Sequence, residues 1–197
     1  MKESLNKRND CRLCGDKKLK SIISLTSTPP ANAFITKEQI NNKQECFPLE
    51  VFFCENCSHV QMLDIIDPKI LFENYVYISG TSPVFINHFQ DYANNVIKKF
   101  PELQKKFVID IGSNDGTLLR FFKEAGFSVL GVDPAKDIAR RANELGIETV
   151  TGFISSELAK KIRKEKGRAQ IITANNVFAH SDDLKAIVES VSILLDD

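Results

Sequence analysis

The sequence lacks an excess of charge of either sign. Its 197 residues include 26 lysines and arginines and 26 aspartates and glutamates, so the formal net charge at pH 7 is +0. A chain with balanced charges has no overall field that would recruit nucleic acid or an anionic membrane surface. We therefore expect a small-molecule substrate and no nucleic-acid partner.

Long apolar runs are also missing. No run approaches the ~20 consecutive apolar residues that a membrane helix needs, and residues 1–6 show no apolar signal region. These absences predict no membrane partner and a cytoplasmic location. A hydrophobic content of 43% is still sufficient for one core domain with a small satellite domain.

Four of the five cysteines lie in two Cys-x-x-Cys pairs. Cys11 and Cys14 form the first pair, and Cys54 and Cys57 form the second after 39 intervening residues. Two such turns can direct four thiolates at one point and complete a tetrahedral zinc site without an open position. In a chain without an export signal, thiolates of this kind favour metal over disulfides, although a redox motif is the alternative. The pairs therefore predict a structural zinc in a domain at residues 1–66.

Residues 67–104 are predicted to be a helical connector. Pro83 begins a long helix whose apolar residues recur every three to four positions. Just before it stand Ser79, Gly80 and Thr81. Because free backbone amides and the helix dipole meet at a helix N-terminus, these three residues are candidates to hold a carboxylate or phosphate of a cofactor.

A glycine-containing turn follows the next predicted strand, at residues 107–111. Asp110, Gly112 and Gly116 give the pattern Asp-x-Gly-x-x-x-Gly before a predicted helix. The dinucleotide fingerprint instead has three glycines in six residues and cradles a pyrophosphate. This turn is wider and has a carboxylate just before it, and the strand, turn and helix together favour an adenosine-containing ligand. A nicotinamide dinucleotide is the competing cofactor.

Three later strands place polar or aromatic residues at their carboxyl ends, where doubly wound sheets bind ligands. Asp133 is positioned to accept both ribose hydroxyls, with helix capping as the alternative. Phe153 follows the third strand and is a candidate adenine contact or a core residue. Asn175 and His180 follow the fourth strand, and His180 is therefore placed to meet a substrate.

The motifs together resemble the zinc-containing sugar C-methyltransferase family, which acts on keto-deoxysugar nucleotides. The matching segments, in chain order, are Cys-x-x-Cys-Gly, Pro-Pro-Ala-Asn-Ala-Phe, a second Cys-x-x-Cys, Ser-Gly-Thr-Ser preceded by Tyr77, Ile-Gly-Ser-Asn-Asp-Gly-Thr-Leu-Leu, Val-Asp-Pro-Ala and Ala-Asn-Asn-Val-Phe-Ala-His. The turn after the first strand of the second half also resembles that of class I methyltransferases.

The resemblance implies an α/β protein in which a small N-terminal zinc-binding domain precedes a class I methyltransferase (Rossmann-like) parallel sheet at residues 105–197. It implies S-adenosylmethionine and Zn²⁺ as cofactors, and methylation of a carbon next to a sugar ketone. From the residue pattern and the resemblance together, we expect Cys11, Cys14, Cys54 and Cys57 to hold zinc, Ser79, Gly80, Thr81, Asp110, Gly112, Asn114, Gly116, Asp133, Phe153 and Asn175 to hold the methyl donor, and Tyr77 and His180 to line the reaction site.

The sequence departs from this family in one respect. Family members are longer, and their proposed general base lies in a Tyr-His-Glu-His segment beyond the point where this sequence stops. We therefore expect a C-terminally truncated sheet whose unpaired edge favours self-association, and slow methyl transfer or none. The alternative function is a catalytically inactive zinc ribbon and nucleotide-binding module that acts in protein interaction.

Overall fold

The computed structural model describes residues 4–103 and 106–196. The chain divides into two compact units, Met1–Tyr75 and Val76–Asp197. The domain limits expected at residues 66 and 104 stay predictions. No helix in the described part of the chain is long and apolar enough to cross a membrane.

The first unit is built from short antiparallel strands. Its elements are β1 (Leu5–Lys7), β2 (Leu19–Thr28), β3 (Phe47–Cys54), β4 (Val60–Met62), β5 (Asp64–Ile66) and helix α1 (Pro68–Phe72). Strands β2, β3 and β4 form one antiparallel sheet in that order, and β1 pairs with β5. The turn between β3 and β4 carries the second cysteine pair, so the hairpin brings that pair to the end of the sheet.

Little apolar surface is buried in the first unit. Among its described residues, the buried apolar side chains are Cys11, Phe47, Cys54 and Leu63. Two of these four are cysteines of the predicted metal site. A unit with so few large buried side chains needs another source of stability, and a structural metal is a common one in small domains.

The second unit alternates strands and helices. Its elements are α2 (Pro83–Lys99), β6 (Phe107–Ile111), α3 (Thr117–Glu124), β7 (Ser128–Asp133), α4 (Lys136–Glu144), β8 (Thr149–Thr151), α5 (Ser156–Lys166), β9 (Ile171–Thr173) and α6 (Leu184–Leu194). The four strands form a parallel sheet in the order β8-β7-β6-β9. The chain therefore runs outward from β6 and then crosses to the other side of β6. The strand order reverses between the neighbouring strands β6 and β9, and such sheets bind ligands at the carboxyl end of this switch point.

Both faces of this sheet are covered by helices. Val108 and Ile109 are adjacent in β6 and point to opposite faces, as the two-residue period of a strand requires. Val108 packs in a cluster with Phe89 of α2 and Phe122 of α3, whereas Ile109 packs in a cluster with Ile162 of α5. Burial on both faces explains why the strands are rich in apolar residues.

One pairing follows the last helix. Leu195 forms an isolated parallel bridge with Ala169, and the amide of Asp196 donates to the carbonyl oxygen of Ala169 at 2.8 Å. The bridge extends the hydrogen bonding next to β9, and self-association through a sheet edge stays a prediction.

Candidate metal centre and donor site

The four cysteines of the two pairs converge on one point. Their sulfur atoms all lie within 4.8 Å of one another. The Sγ atoms of Cys11 and Cys57 are 3.6 Å apart, as are those of Cys14 and Cys54. Four sulfurs at ~2.3 Å from a tetrahedral zinc would be about 3.8 Å apart. The observed cluster therefore fits a four-thiolate zinc, and the predicted metal residues are brought together.

The two cysteine turns have the same local conformation. The amide of Gly15 donates to the carbonyl oxygen of Cys11 at 2.8 Å, and the amide of Ser58 donates to that of Cys54 at 2.9 Å. Gly15 and Ser58 both have positive φ, at 76° and 61°. Each turn therefore closes with one left-handed residue just after its second cysteine. In the second turn the residue is a serine, which the sequence alone did not mark as left-handed.

Cys14 is the exposed member of the cluster, and its surroundings favour the thiolate. Hydrogen bonding from the Asp16 backbone, then from the Asn56 side chain, lowers the pKa of Cys14 to about 6. The side-chain nitrogen Nδ2 of Asn56 lies 3.6 Å from the Cys14 sulfur. A thiolate is the form that binds metal, so this ligand is preorganised for zinc.

The turn after β6 is held in a conformation that requires glycine. Gly112 and Gly116 have φ values of 69° and 77°, and Asn114 between them has 51°. A Cβ atom on Gly112 would collide with the side chain of Val177, and one on Gly116 would lie 2.7 Å from Cγ2 of Ile147. Both glycines are thus needed for φ and for space. The turn (residues 112–116, the donor turn) passes at the carboxyl end of the sheet.

Asp110 lies inside the sheet at the switch point. The Thr173 hydroxyl at the end of β9 donates to its Oδ1 atom at 2.6 Å, which joins β6 to β9 at this position. Burial raises the pKa of Asp110 to about 7, with a smaller contribution from the charge of Asp133 and partial opposition from Thr173. Thr173 was not predicted as a site residue, because only the pairing of β6 with β9 brings it to Asp110.

Asp133 ends β7 and connects two segments through its carboxylate. Oδ1 accepts from the amide of Ala135 and Oδ2 accepts from the amide of Asn114, both at 2.8 Å. Burial raises the pKa of Asp133, and these two amides oppose that rise. Asp133 therefore binds the amide of Ala135, the N-cap residue of α4, but that helix has no side-chain cap, so the alternative capping role is not formed. Each oxygen can still accept a second hydrogen bond, so the predicted ribose contact is compatible with this arrangement.

The amides before α2 bind side chains of the donor turn. The amide of Ser79 donates to Oδ1 of Asn114 at 2.9 Å, and the amide of Gly80 donates to Oδ2 of Asp115 at 3.1 Å. Nδ2 of Asn114 in turn donates to the carbonyl oxygen of Tyr77 at 3.0 Å. Asp115 is a residue that sequence reasoning missed. Its signal was available, because an aspartate just before a helix is typical of a capping role.

The remaining predicted residues lie near the carboxyl ends of strands or beside α2. Phe153 is 38% exposed after β8, and His180 is exposed in a short 3-10 turn after β9. The side chain of Tyr77 is 38% exposed and meets Phe85 edge to face, with ring centroids 6.4 Å apart. Asn175 has a buried amide nitrogen without a hydrogen-bond acceptor among the described groups. A buried donor without a partner at a strand end is expected where a ligand supplies the acceptor.

Two sequence families match this chain. Residues 11–72 match the family described as "Putative zinc binding domain", and residues 86–197 match the family described as "Methyltransferase domain". The second match covers more than half of the chain. The chain belongs to the methyltransferase-domain family. The predicted fold class, a zinc-binding domain followed by a class I methyltransferase sheet, is confirmed by these matches together with the parallel strand order.

Individual relatives are consistent with this family. The chain is 30% identical to C-methyltransferase NovU of Streptomyces niveus over 195 residues, which are 99% of this chain and 46% of that protein. It is 28% identical to a ubiquinone biosynthesis O-methyltransferase of Hydrogenovibrio crunogenus over 100 residues, 49% of this chain and 41% of that one. The chain thus spans less than half the length of both curated relatives. A solved structure of magnesium protoporphyrin IX methyltransferase from Synechocystis, with bound SAM, is 18% identical to this chain, and the TM-score is 0.45. The match covers 57% of this chain and 57% of that one.

The metal site yields a test with a matched cysteine control. We expect one zinc ion per chain in the unaltered protein, and loss of that zinc with unfolding of the first unit in Cys54→Ser, because binding a structural zinc is also folding energy. Cys46→Ser should retain zinc, since Cys46 is exposed and outside the cluster. Elemental analysis and thermal melts measure both effects. Zinc retained in Cys54→Ser, or lost equally in Cys46→Ser, would contradict the assignment.

The raised pKa of Asp110 predicts how stability changes with pH. The folded protein keeps this proton up to about pH 7, whereas an unfolded aspartate loses it near the ordinary value of 3.8. Since the folded state binds more protons between these values, the stabilising effect of protonation is complete below that range and decreases as pH rises toward 7. Asp110→Asn should flatten the dependence of urea-unfolding stability on pH between about pH 4 and about pH 7. Exposed Asp137→Asn serves as the control, and parallel curves for Asp110→Asn and the unaltered protein would disprove the effect.

Proposed function

We propose that this chain binds S-adenosylmethionine and belongs to an enzyme that methylates carbon. The observation that carries the proposal is the pair of buried carboxylates, Asp110 and Asp133, on either side of the donor turn. S-adenosylmethionine carries a sulfonium and an ammonium but no phosphate. A cation is favoured next to buried carboxylates, whereas the pyrophosphate of a dinucleotide would be repelled.

The proposed donor residues divide the ligand among them. Asp133 accepts the ribose hydroxyls with the oxygen lone pairs that its two backbone amides leave free, and Phe153 contacts the adenine. The donor turn passes under the methionine portion, and Asp110 stands two residues before it. Asn175 supplies its buried amide donor to an oxygen of the ligand. Bound S-adenosylmethionine supplies an electrophilic methyl group.

The proposed acceptor is a nucleotide-linked keto-deoxysugar. The support is the sequence resemblance together with the similarity to a protein named C-methyltransferase. A carbon next to a ketone becomes nucleophilic when a base removes its proton and the ketone oxygen is stabilised as an oxyanion. We place Tyr77 and His180 at this reaction centre, where a phenol can donate to the oxyanion and an imidazole can accept the proton.

The zinc has a structural role in this proposal. Four thiolates complete a tetrahedral site, which leaves no position at which a substrate oxygen could bind the metal. Two of its cysteines, Cys11 and Cys54, are also among the few buried side chains of the first unit. Its function is therefore to fold that unit.

Donor binding can be tested with S-adenosylhomocysteine by calorimetry. We expect Asp133→Ala to weaken binding by about 1.5 to 3 kcal/mol, as for the loss of charged hydrogen bonds to ribose. Asp133→Asn, which retains one acceptor oxygen, should lose less. Asp137→Ala is the control, because the Asp137 side chain is 91% exposed on α4. Tight binding of NAD without any response to S-adenosylhomocysteine would refute the assignment in favour of a nicotinamide dinucleotide.

Acceptor binding is tested with a panel of keto-deoxysugar nucleotides in the presence of S-adenosylhomocysteine. We expect at least one to bind, and His180→Asn and Tyr77→Phe each to weaken it by about 1 kcal/mol, as for one hydrogen bond. His88→Asn, on the exposed surface of α2, should leave binding unchanged. Mass spectrometry of any product should find the methyl group on carbon. Equal binding of nucleotide sugars that lack the ketone, or a methyl group on oxygen or nitrogen, would contradict the proposal.

A further inference from the structure

The segment before α2 is attached to the donor turn by side chains of the turn itself. We infer that Asn114 and Asp115 are positioning residues that fasten residues 77–81 (the acceptor segment) to the donor turn. Three hydrogen bonds carry the inference, from the amides of Ser79 and Gly80 to the two side chains and from Asn114 to the Tyr77 carbonyl oxygen. The partners in these bonds are 35 to 37 positions apart in the sequence.

Asn114 is suited to this role by both of its side-chain groups. Its oxygen accepts from Ser79 and its nitrogen donates to Tyr77, so it pairs with the acceptor segment in the way one strand pairs with another. Its left-handed φ of 51° is a conformation that asparagine tolerates better than most residues. Its own backbone amide donates to Asp133, the residue proposed to bind the ribose. Asn114 therefore contacts both that residue and the segment that carries Tyr77.

Asp115 completes the attachment from a buried position. It is 6% exposed, and its Oδ1 accepts from the Thr117 hydroxyl at 2.6 Å while Oδ2 accepts from Gly80. The fit at Gly80 is tight, since a Cβ atom there would lie 2.5 Å from Oδ2 of Asp115 and 2.8 Å from the Thr117 hydroxyl oxygen. Gly80 does not have a positive φ. The glycine is therefore required by the closeness of the carboxylate and not by its backbone conformation.

The inference assigns a different task to the Ser79 and Gly80 amides from the one expected from sequence. They hold the protein's own carboxylate and amide, and the donor is bound by the turn on the other side. This step rests on the proposed function. Asn114 acts through Tyr77, whose carbonyl oxygen it binds, and Asp115 acts through Gly80, whose amide it binds. They set the acceptor side of the reaction relative to the donor turn.

Hydrogen exchange of the full chain tests the attachment directly. In the unaltered protein the amides of Ser79 and Gly80 should be protected. Asn114→Ala and Gly80→Ala should speed their exchange by about tenfold or more, as expected when a hydrogen bond is lost. Asn94→Ala, an exposed asparagine of α2, should change nothing in this segment. Unprotected amides in the unaltered protein would overturn the inference even if every variant failed to fold.

Donor binding separates positioning from direct ligand contact. If the segment is only positioned by the turn, Gly80→Ala should change the affinity for S-adenosylhomocysteine by less than about threefold while exchange accelerates. A loss of affinity of about tenfold or more would show that the segment itself binds the donor, which would overturn the positioning role. An unaltered protein that does not bind S-adenosylhomocysteine would instead refute the proposed function, and the exchange measurement would still decide the attachment.

Discussion

The second unit depends on keeping two carboxylates at the carboxyl ends of adjacent strands without a neighbouring cation. No ion pair within the described residues neutralises Asp110 or Asp133. Neutral donors satisfy them instead: a threonine hydroxyl for the first, and two backbone amides for the second. Such an arrangement is costly while the site is empty, because burial penalises the charged forms. A cationic ligand would relieve that cost, which is why the geometry favours S-adenosylmethionine over a pyrophosphate.

The donor turn and the metal centre were predictable from sequence because their information is local. Each Cys-x-x-Cys pair forms its own turn, and the structure brings the four sulfurs together as expected. The glycines of the donor turn are likewise marked by spacing alone. What sequence could not supply is the identity of the atoms that crowd these glycines. Val177 and Ile147 reach Gly112 and Gly116 only after the parallel sheet has formed.

The parallel sheet itself was implied by the family resemblance, and the placement of Asp110 and Asp133 near the carboxyl ends of their strands followed from that topology. The bridge between Ala169 and Leu195 was not predicted. A single bridged residue has no two-residue pattern, so periodicity cannot detect it. Thr173 was missed for a related reason. In the sequence Thr173 is an ordinary strand residue, and its role is visible only once β9 is known to pair with β6 beside Asp110.

The segment before α2 shows most clearly where local reasoning stops. From sequence, its free amides predicted a bound carboxylate, and the structure does place a carboxylate there, but it is the side chain of Asp115. The chemistry was inferred from residues 79–81, whereas the partner lies about 35 positions later and is reached only through folding. Because Asn114 also donates to Asp133, the same turn that approaches the donor holds the segment of Tyr77. Donor turn and acceptor segment therefore cannot move independently without breaking buried or half-buried hydrogen bonds, and each such loss costs about 1 kcal/mol or more.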